Sequence, residues 1–263
     1  MKKTTWKLLL GIFAIALLCI IKAPNAEAAS YVGSHSSYNN TVKVGKIKVT
    51  STNYDYDKGY CTLVVKKNNK KILTLKQVRP EFVTNGSLLY YSKVTKPYPQ
   101  TEYTDLNATC TTKLYRYSFS SKKQKLIMKG QGLVPLYCSG KYLHYAKTTY
   151  LGDYKVYARN LKTNKSKYMA QGIDRVMPCG DRIICTSFAT DVSNNSVYSF
   201  KTNGTGKKKI ATGFSVKVKK GYVYYSRVYY DYDNWEGPEQ FRDFKVLPNG
   251  TKRKVVKDWY TLW

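Results

Sequence analysis

Two sets of side chains in this sequence have chemistry to offer, and they alternate along the chain. The first sets aromatic rings beside carboxylates: Tyr54, Asp55, Tyr56 and Asp57; Tyr98, Tyr103 and Asp105; Tyr150 and Asp153; then Tyr230, Asp231, Tyr232, Asp233 and Trp235. Rings stack on the apolar faces of sugars while neighbouring acids accept hydroxyl protons, and tyrosine is equally a favoured anchor of protein interfaces. Tyrosine is abundant everywhere here, 26 in all, so a solvated acidic loop is the plainer alternative. Asp55, Asp57, Asp231, Asp233 and Glu236 would attract Ca²⁺ if their loops met, but the spacing lacks a full DxDxDG pattern and no metal is expected.

The second set is basic. Lys70 and Lys71, Lys122 and Lys123, Lys165 and Lys167, then Lys207, Lys208 and Lys209, and finally Lys252, Arg253 and Lys254 fall in short runs, most of them rich in Asn, Gly or Ser. The whole chain holds 45 Lys+Arg against 16 Asp+Glu, a net charge of +29. Without residues 1–28, which contain Lys2, Lys3, Lys7, Lys22 and Glu27, the balance is 41 against 15, or +26. A field of that size favours anionic cell-wall polymers, acidic polysaccharide, lipid headgroups or nucleic acid. No base-reading motif accompanies it, so sequence-specific nucleic-acid recognition is not expected. Lysine-rich turns also keep sheet ends soluble and unpaired, without further function.

Catalytic groupings are sparse. Glu81 and Asp174 lie five and six residues before Gly86 and Gly180, on segments read as innermost strands, so strand alternation points them to different sides. Two-carboxylate hydrolysis needs both acids at one bond. No GxSxG or HExxH pattern occurs, and no cofactor is implied. Beyond the leader remain Cys61, Cys110, Cys138, Cys179 and Cys185, an odd number without CxxC spacing, and His35 and His144 stand far apart. Cys138 and Cys179 each lie just before a repeat glycine and are the pair expected nearest one another, either as a disulfide or as two buried thiols.

The elements that must position these groups repeat one grammar. Gly45, Gly86, Gly140, Gly180 and Gly221, at intervals of 41, 54, 40 and 41, each precede a Tyr-rich apolar strand, a Tyr/Asp loop or its counterpart, a second strand, a Lys/Asn/Gly turn and a third strand. A further apolar run precedes four of these glycines, and a first strand around residues 41–44 precedes Gly45, giving four strands per unit. Such spacing predicts an all-β chain, a five-bladed β-propeller of four-stranded antiparallel blades over residues 41–263. An irregular lead-in covers 29–40. In an up-and-down blade, second-to-third loops project from one side and third-to-fourth turns from the other. The aromatic-acidic loops and the lysine turns, which hold 17 of the 41 basic residues, therefore segregate.

Residues 1–28 read as a secretory signal-peptide helix: Lys2, Lys3 and Lys7, an apolar stretch at 8–21, and a small-x-small site at Ala26, Glu27 and Ala28. Fourteen apolar residues fall short of the roughly 20 that span a bilayer. No membrane span is expected after cleavage, and a retained anchor is the alternative.

The segments GSLLYYSKV with KLYRYSFSSKKQKLIMKG, and SVYSFKTNGTGKKKIATG, resemble blades of secreted bacterial β-propellers in a domain-of-unknown-function family, itself similar to TolB-like and low-density-lipoprotein-receptor-like propellers. The resemblance spans the chain after the leader. It implies an exported, non-catalytic binding or scaffold role, and it names no ligand. Together the residues and the resemblance predict a secreted or cell-envelope propeller that meets a glycan or protein through its Tyr/Asp loops and an anionic polymer through its lysines. The alternative is a propeller glycoside hydrolase or lyase acting on polysaccharide.

Overall fold

Apolar and polar residues alternate along most of this chain, and in the computed structural model, which describes residues 32–34, 41–98, 109–148, 154–187, 195–229 and 240–261, that alternation becomes antiparallel sheet. The first 30 residues, and with them the expected signal segment, lie outside the described residues. No helix occurs among the described residues.

An eight-stranded sheet comes first. It contains β1 (Val32–Ser34), β2 (Thr41–Val44), β3 (Ile47–Asp55), β4 (Tyr60–Lys67), β5 (Lys70–Thr84), β6 (Leu88–Lys96), β7 (Thr111–Ser118) and β8 (Gln124–Gln131). Strands β2 to β8 pair in sequence order, and β1 adds to β5 through Val32↔Thr84 and Ser34↔Phe82. Part of the lead-in expected to be irregular is thus a strand.

Three four-stranded sheets follow, each an up-and-down meander. One consists of β9 (Leu133–Cys138), β10 (Tyr142–Thr148), β11 (Tyr154–Asn160) and β12 (Ser166–Gln171). The next holds β13 (Ile173–Cys179), β14 (Arg182–Ser187), β15 (Ser196–Lys201) and β16 (Lys208–Thr212). The last holds β17 (Phe214–Lys219), β18 (Tyr222–Tyr229), β19 (Gln240–Val246) and β20 (Lys254–Thr261).

Strand β5 has two partners in succession. Its first part pairs with β4 (Leu63↔Leu75, Cys61↔Val78) and its second with β6 (Val78↔Lys93, Phe82↔Tyr91). At the changeover Gln77 has φ 57°, a left-handed conformation uncommon for any residue but glycine. The corresponding steps into β9, β13 and β17 are taken by Gly132, Gly172 and Gly213, also at positive φ.

Burial follows position in the sheets. Residues 78–84 of β5 and all of β9 are buried at every position; β9 reads as an almost unbroken apolar run, whereas residues 78–84 take Arg79 and Glu81 into the interior. β3 and β4 alternate instead, with Val49, Leu63 and Val65 fully buried. Residues 254–259 of β20, an outermost strand, are exposed throughout. Each fully buried Leu or Val contributes about 1.5–3 kcal/mol, so β9, with Leu133 and Val134 fully buried, stabilises its meander far more than β17, where Val216 is the one buried side chain.

The disulfide considered between Cys138 and Cys179 is not formed: both are buried thiols. Cys138 packs in an apolar cluster with Leu133, Leu143 and Ile183, whereas Cys179 belongs to another with Ile184, Val197 and Val223. Each sulfur fills space as a small hydrophobe.

Candidate functional site

Repeated backbone hydrogen bonds sort the loops between two edges. The amide of Asn68 donates to the Lys46 carbonyl (3.0 Å), Phe119 to Ser87 (3.0 Å) and Leu161 to Lys141 (2.9 Å). Each bond ties a third-to-fourth turn to the glycine turn between the first and second strands, so both kinds of turn share one edge. On the other edge the Gly132 amide donates to Cys110 (2.7 Å) and Gly213 to Asn195 (2.9 Å), tying the step between sheets to the end of a second-to-third loop.

The lysine edge presents every member of the expected basic set. Lys70, Lys71, Lys122, Lys123, Lys165, Lys167, Lys207, Lys208, Lys209, Lys252, Arg253 and Lys254 are all exposed. Among the described residues Asp181 is the sole carboxylate in these turns. The turns themselves form because Asn and Gly accept left-handed backbone, as at Asn68, Asn69 and Asn164, and because Asn side chains cap local amides: Asn160 Oδ1 accepts from Lys162 and Thr163 at 2.9 and 3.1 Å. Three of the cations have local partners. Lys207 Nζ sits 4.4 Å from the Tyr198 ring centroid, Lys208 Nζ donates to the Asn249 carbonyl at 2.8 Å, and Arg253 Nη2 donates to the Ile210 carbonyl at 2.9 Å.

On the opposite edge the described part of the aromatic-acidic set is the loop between β3 and β4. Asp55 closes it, accepting from the Lys58 amide (3.1 Å) and pairing with Lys58 Nζ (3.1 Å), and the Lys58 hydrogen bond holds its carboxyl below the ordinary value. Tyr54 and Tyr56 meet edge to face at 5.0 Å, and Tyr56 is 61% exposed, with Asp57 exposed beside it. A ring and two carboxylates are thereby offered to solvent on a closed turn.

Beneath that loop lies a buried polar group that sequence reasoning placed elsewhere. Tyr98, expected among the ligand-binding rings, is only 7% exposed and accepts a 2.7 Å hydrogen bond from Arg79 Nη1. Its ring covers Gly59, where a Cβ would lie 2.2 Å from Cε2. It is a strut for the loop. Glu81, weighed as a catalytic acid, is bound by Arg79 through both oxygens. Burial disfavours the Arg79 charge, but Glu81 overcomes it and holds the guanidinium well above its ordinary value. Asp174 falls in β13. Tyr103, Asp105, Tyr150, Asp153, Tyr230, Asp231, Tyr232, Asp233, Trp235 and Glu236 lie outside the described residues.

Arg79 was legible only as an Arg-Pro-Glu interruption of an apolar strand, which signals a buried pair but not its partners. Arg227, which lines a cavity with Lys209 and Arg253, carries no sequence signal at all, since it sits within a strand away from the lysine turns.

No protein-family model matches this chain, and no curated protein matches it. Solved structures do. The β-propeller domain of the Trilobed protease from Pyrococcus furiosus aligns over 83% of this chain and 71% of its own, with TM-score 0.51 and 9% identity. An acylaminoacyl peptidase from Pyrococcus horikoshii aligns over 84% of this chain but 39% of its own, with TM-score 0.51 and 9% identity. A TolB-like protein from Agrobacterium tumefaciens aligns over 85% and 81%, with TM-score 0.46 and 12% identity. At such identities the likeness shows the fold alone, and the fold is that of a β-propeller.

Proposed function

We propose that this chain is an exported, non-catalytic binding propeller of five four-stranded blades, held at the cell envelope by a polyanion along its lysine edge and recognising a glycan or protein through its Tyr/Asp edge. The double pairing of β5 supports five blades, since dividing that strand at Gln77 leaves β2 to β5 and β5 to β8 as two meanders beside the other three.

One observation carries the functional reading: twelve exposed basic side chains, contributed by every meander, with a single described carboxylate in the same turns. Cations arrayed this densely gain by releasing counterions from a charged polymer. Tyr56 and Asp57 supply the exposed ring and acid that a sugar or a protein loop would meet on the other edge. The hydrolase alternative gains nothing from Glu81, whose oxygens are already engaged by Arg79. Chromatography of the purified protein on immobilised polyphosphate tests the reading: retention at low salt and release as salt rises is expected, and passage without retention sinks it.

A further inference from the structure

Between β16 and the sheet of β17 to β20 lies a cavity of about 170 Å³, lined by Lys209, Ile210, Ala211, Thr212, Tyr225, Arg227 and Arg253. One water needs about 10–15 Å³ by such a measure, so there is room for a small polyatomic anion and its hydration. Its chemistry is one-sided. Three cations face it, and no carboxylate lines it. Lys209 and Arg253 belong to the lysine edge, whereas Arg227 enters from the middle of β18.

Two of the polar groups are held in place. Arg253 donates Nη2 to the Ile210 carbonyl at 2.9 Å, which spans the gap between sheets and leaves four of the five guanidinium N–H donors. Tyr225 is 2% exposed, and its ring is fixed by stacking on Phe244 at 5.3 Å with an interplanar angle of 14°. Burial raises its pKa, and Arg253 and Arg227 both pull it down, which places both guanidinium charges near the phenol oxygen. A rigid hydroxyl, a threonine hydroxyl and two planar guanidinium forks around one cavity are the donor set for a tetrahedral oxyanion.

We propose that this cavity is an oxyanion subsite that seats one phosphate or sulfate ester group of the polymer held by the lysine edge. This deepens the polyanion reading and rests on it for the source of the ester. Along the turns a polymer meets exposed lysines that read charge alone, whereas here one group enters a cavity with two fixed donors, Arg253 and Tyr225, and sets the register of the chain. Thr212 and Tyr225 also make the site more than a point charge.

The test is calorimetric titration of the full chain with inorganic pyrophosphate and, separately, with a sulfated disaccharide, for wild type, Arg227→Gln and Tyr225→Phe. Saturable binding of either probe at one site, weakened about tenfold or more by Arg227→Gln and measurably by Tyr225→Phe, is expected. The probe that binds more tightly identifies the ester. Arg227 is exposed and has no ion-pair partner among the described residues, so its loss is not expected to unfold the sheet. Binding without saturation, or unchanged in both variants, overturns the subsite. Retention of wild type on polyphosphate, read in parallel, separates the two ideas: retention with no saturable site defeats the cavity alone, and absence of retention defeats the lysine-edge reading.

Discussion

Arg79 grips Glu81 two residues further along the same strand, Nε to Oε2 at 3.2 Å and Nη2 to Oε1 at 3.1 Å, with both residues buried. The pair occupies the irregular stretch where the β5–β6 register slips between Val78 and Phe82. Arg79 also reaches Tyr98 and stands 3.5 Å from the Gly59 carbonyl, so one guanidinium joins two strands' worth of loop to the core. The turn that presents Tyr56 is anchored there. Its floor is an ion pair.

Removing one partner of a buried pair leaves the other charged and desolvated. Arg79→Met is therefore expected to destabilise the protein by about 3–5 kcal/mol, and Arg79→Met with Glu81→Leu by much less than the sum of the two single changes. Urea unfolding of the four proteins in the cycle measures this. Additive effects would mean that the two side chains do not depend on each other.

Gly132 and Gly140 both have positive φ, at 56° and 81°, yet their surroundings differ. A Cβ on Gly132 would lie 2.0 Å from the Thr148 carbonyl oxygen, whose residue is itself bound to Gly132 by a 2.9 Å hydrogen bond, whereas around Gly140 nothing lies within 4 Å. Gly140→Ala is expected to cost about 1–2 kcal/mol, the left-handed penalty alone. Gly132→Ala is expected to cost more than about 3 kcal/mol, because backbone must also move. Thermal denaturation that ranks them equally would contradict this geometry.

The five repeat glycines announced their turns in the sequence, and each turns one strand into the next with φ between 57° and 83°. The lysine turns were equally legible, since Asn and Gly favour left-handed corners and Lys favours exposure. Tyr98 was not, because a tyrosine in a loop reads alike whether its hydroxyl meets water or a buried guanidinium. Gln77 was missed for a related reason: it takes the left-handed step that glycine takes elsewhere, so no glycine marks where β5 changes sheets. For Cys138 and Cys179 the sequence left a disulfide and two buried thiols equally open; the second holds, as the two entered different apolar clusters.

His144 is fully buried on β10 and donates Nε2–H to the Thr202 carbonyl at 2.8 Å, with its ring stacked on Tyr137. Burial lowers its pKa from 6.5 to about 4 despite that hydrogen bond. Between those values the unfolded chain holds the proton and the folded chain does not. Stability is thus full above pH 6.5, falls as pH drops, and loses roughly 3 kcal/mol from this residue by pH 4. His144→Gln is expected to lower the melting temperature at neutral pH but flatten its decline between pH 6.5 and 4. A parallel decline in both proteins would assign the pH dependence to other groups.

The five described cysteines are buried thiols outside any disulfide, and burial pushes the Cys61 and Cys185 thiols up to about 12. Thiolate is the reactive species. A disulfide-exchange reagent at pH 8 is expected to label none of the five in the folded protein and all five after denaturation without reductant. Fewer than five on denaturation would reveal a bond.

Salt dependence distinguishes an array of contacts from general charge. Each cation that displaces a condensed counterion adds about 0.7–0.9 to the slope of log affinity against log salt. Lys70, Lys71, Lys123 and Lys165 are exposed and come from three different turns. Changing all four to glutamine is expected to make the slope for polyphosphate shallower by up to about 3, with the fold intact by circular dichroism. Because the left-handed corners of these turns are Asn68, Asn69, Lys122 and Asn164, none of them a substituted residue, neutral side chains beside them leave the backbone conformation satisfied. A reduced affinity with an unchanged slope would show that the four lysines act through the protein's overall field, whereas a shallower slope shows that the polymer touches them.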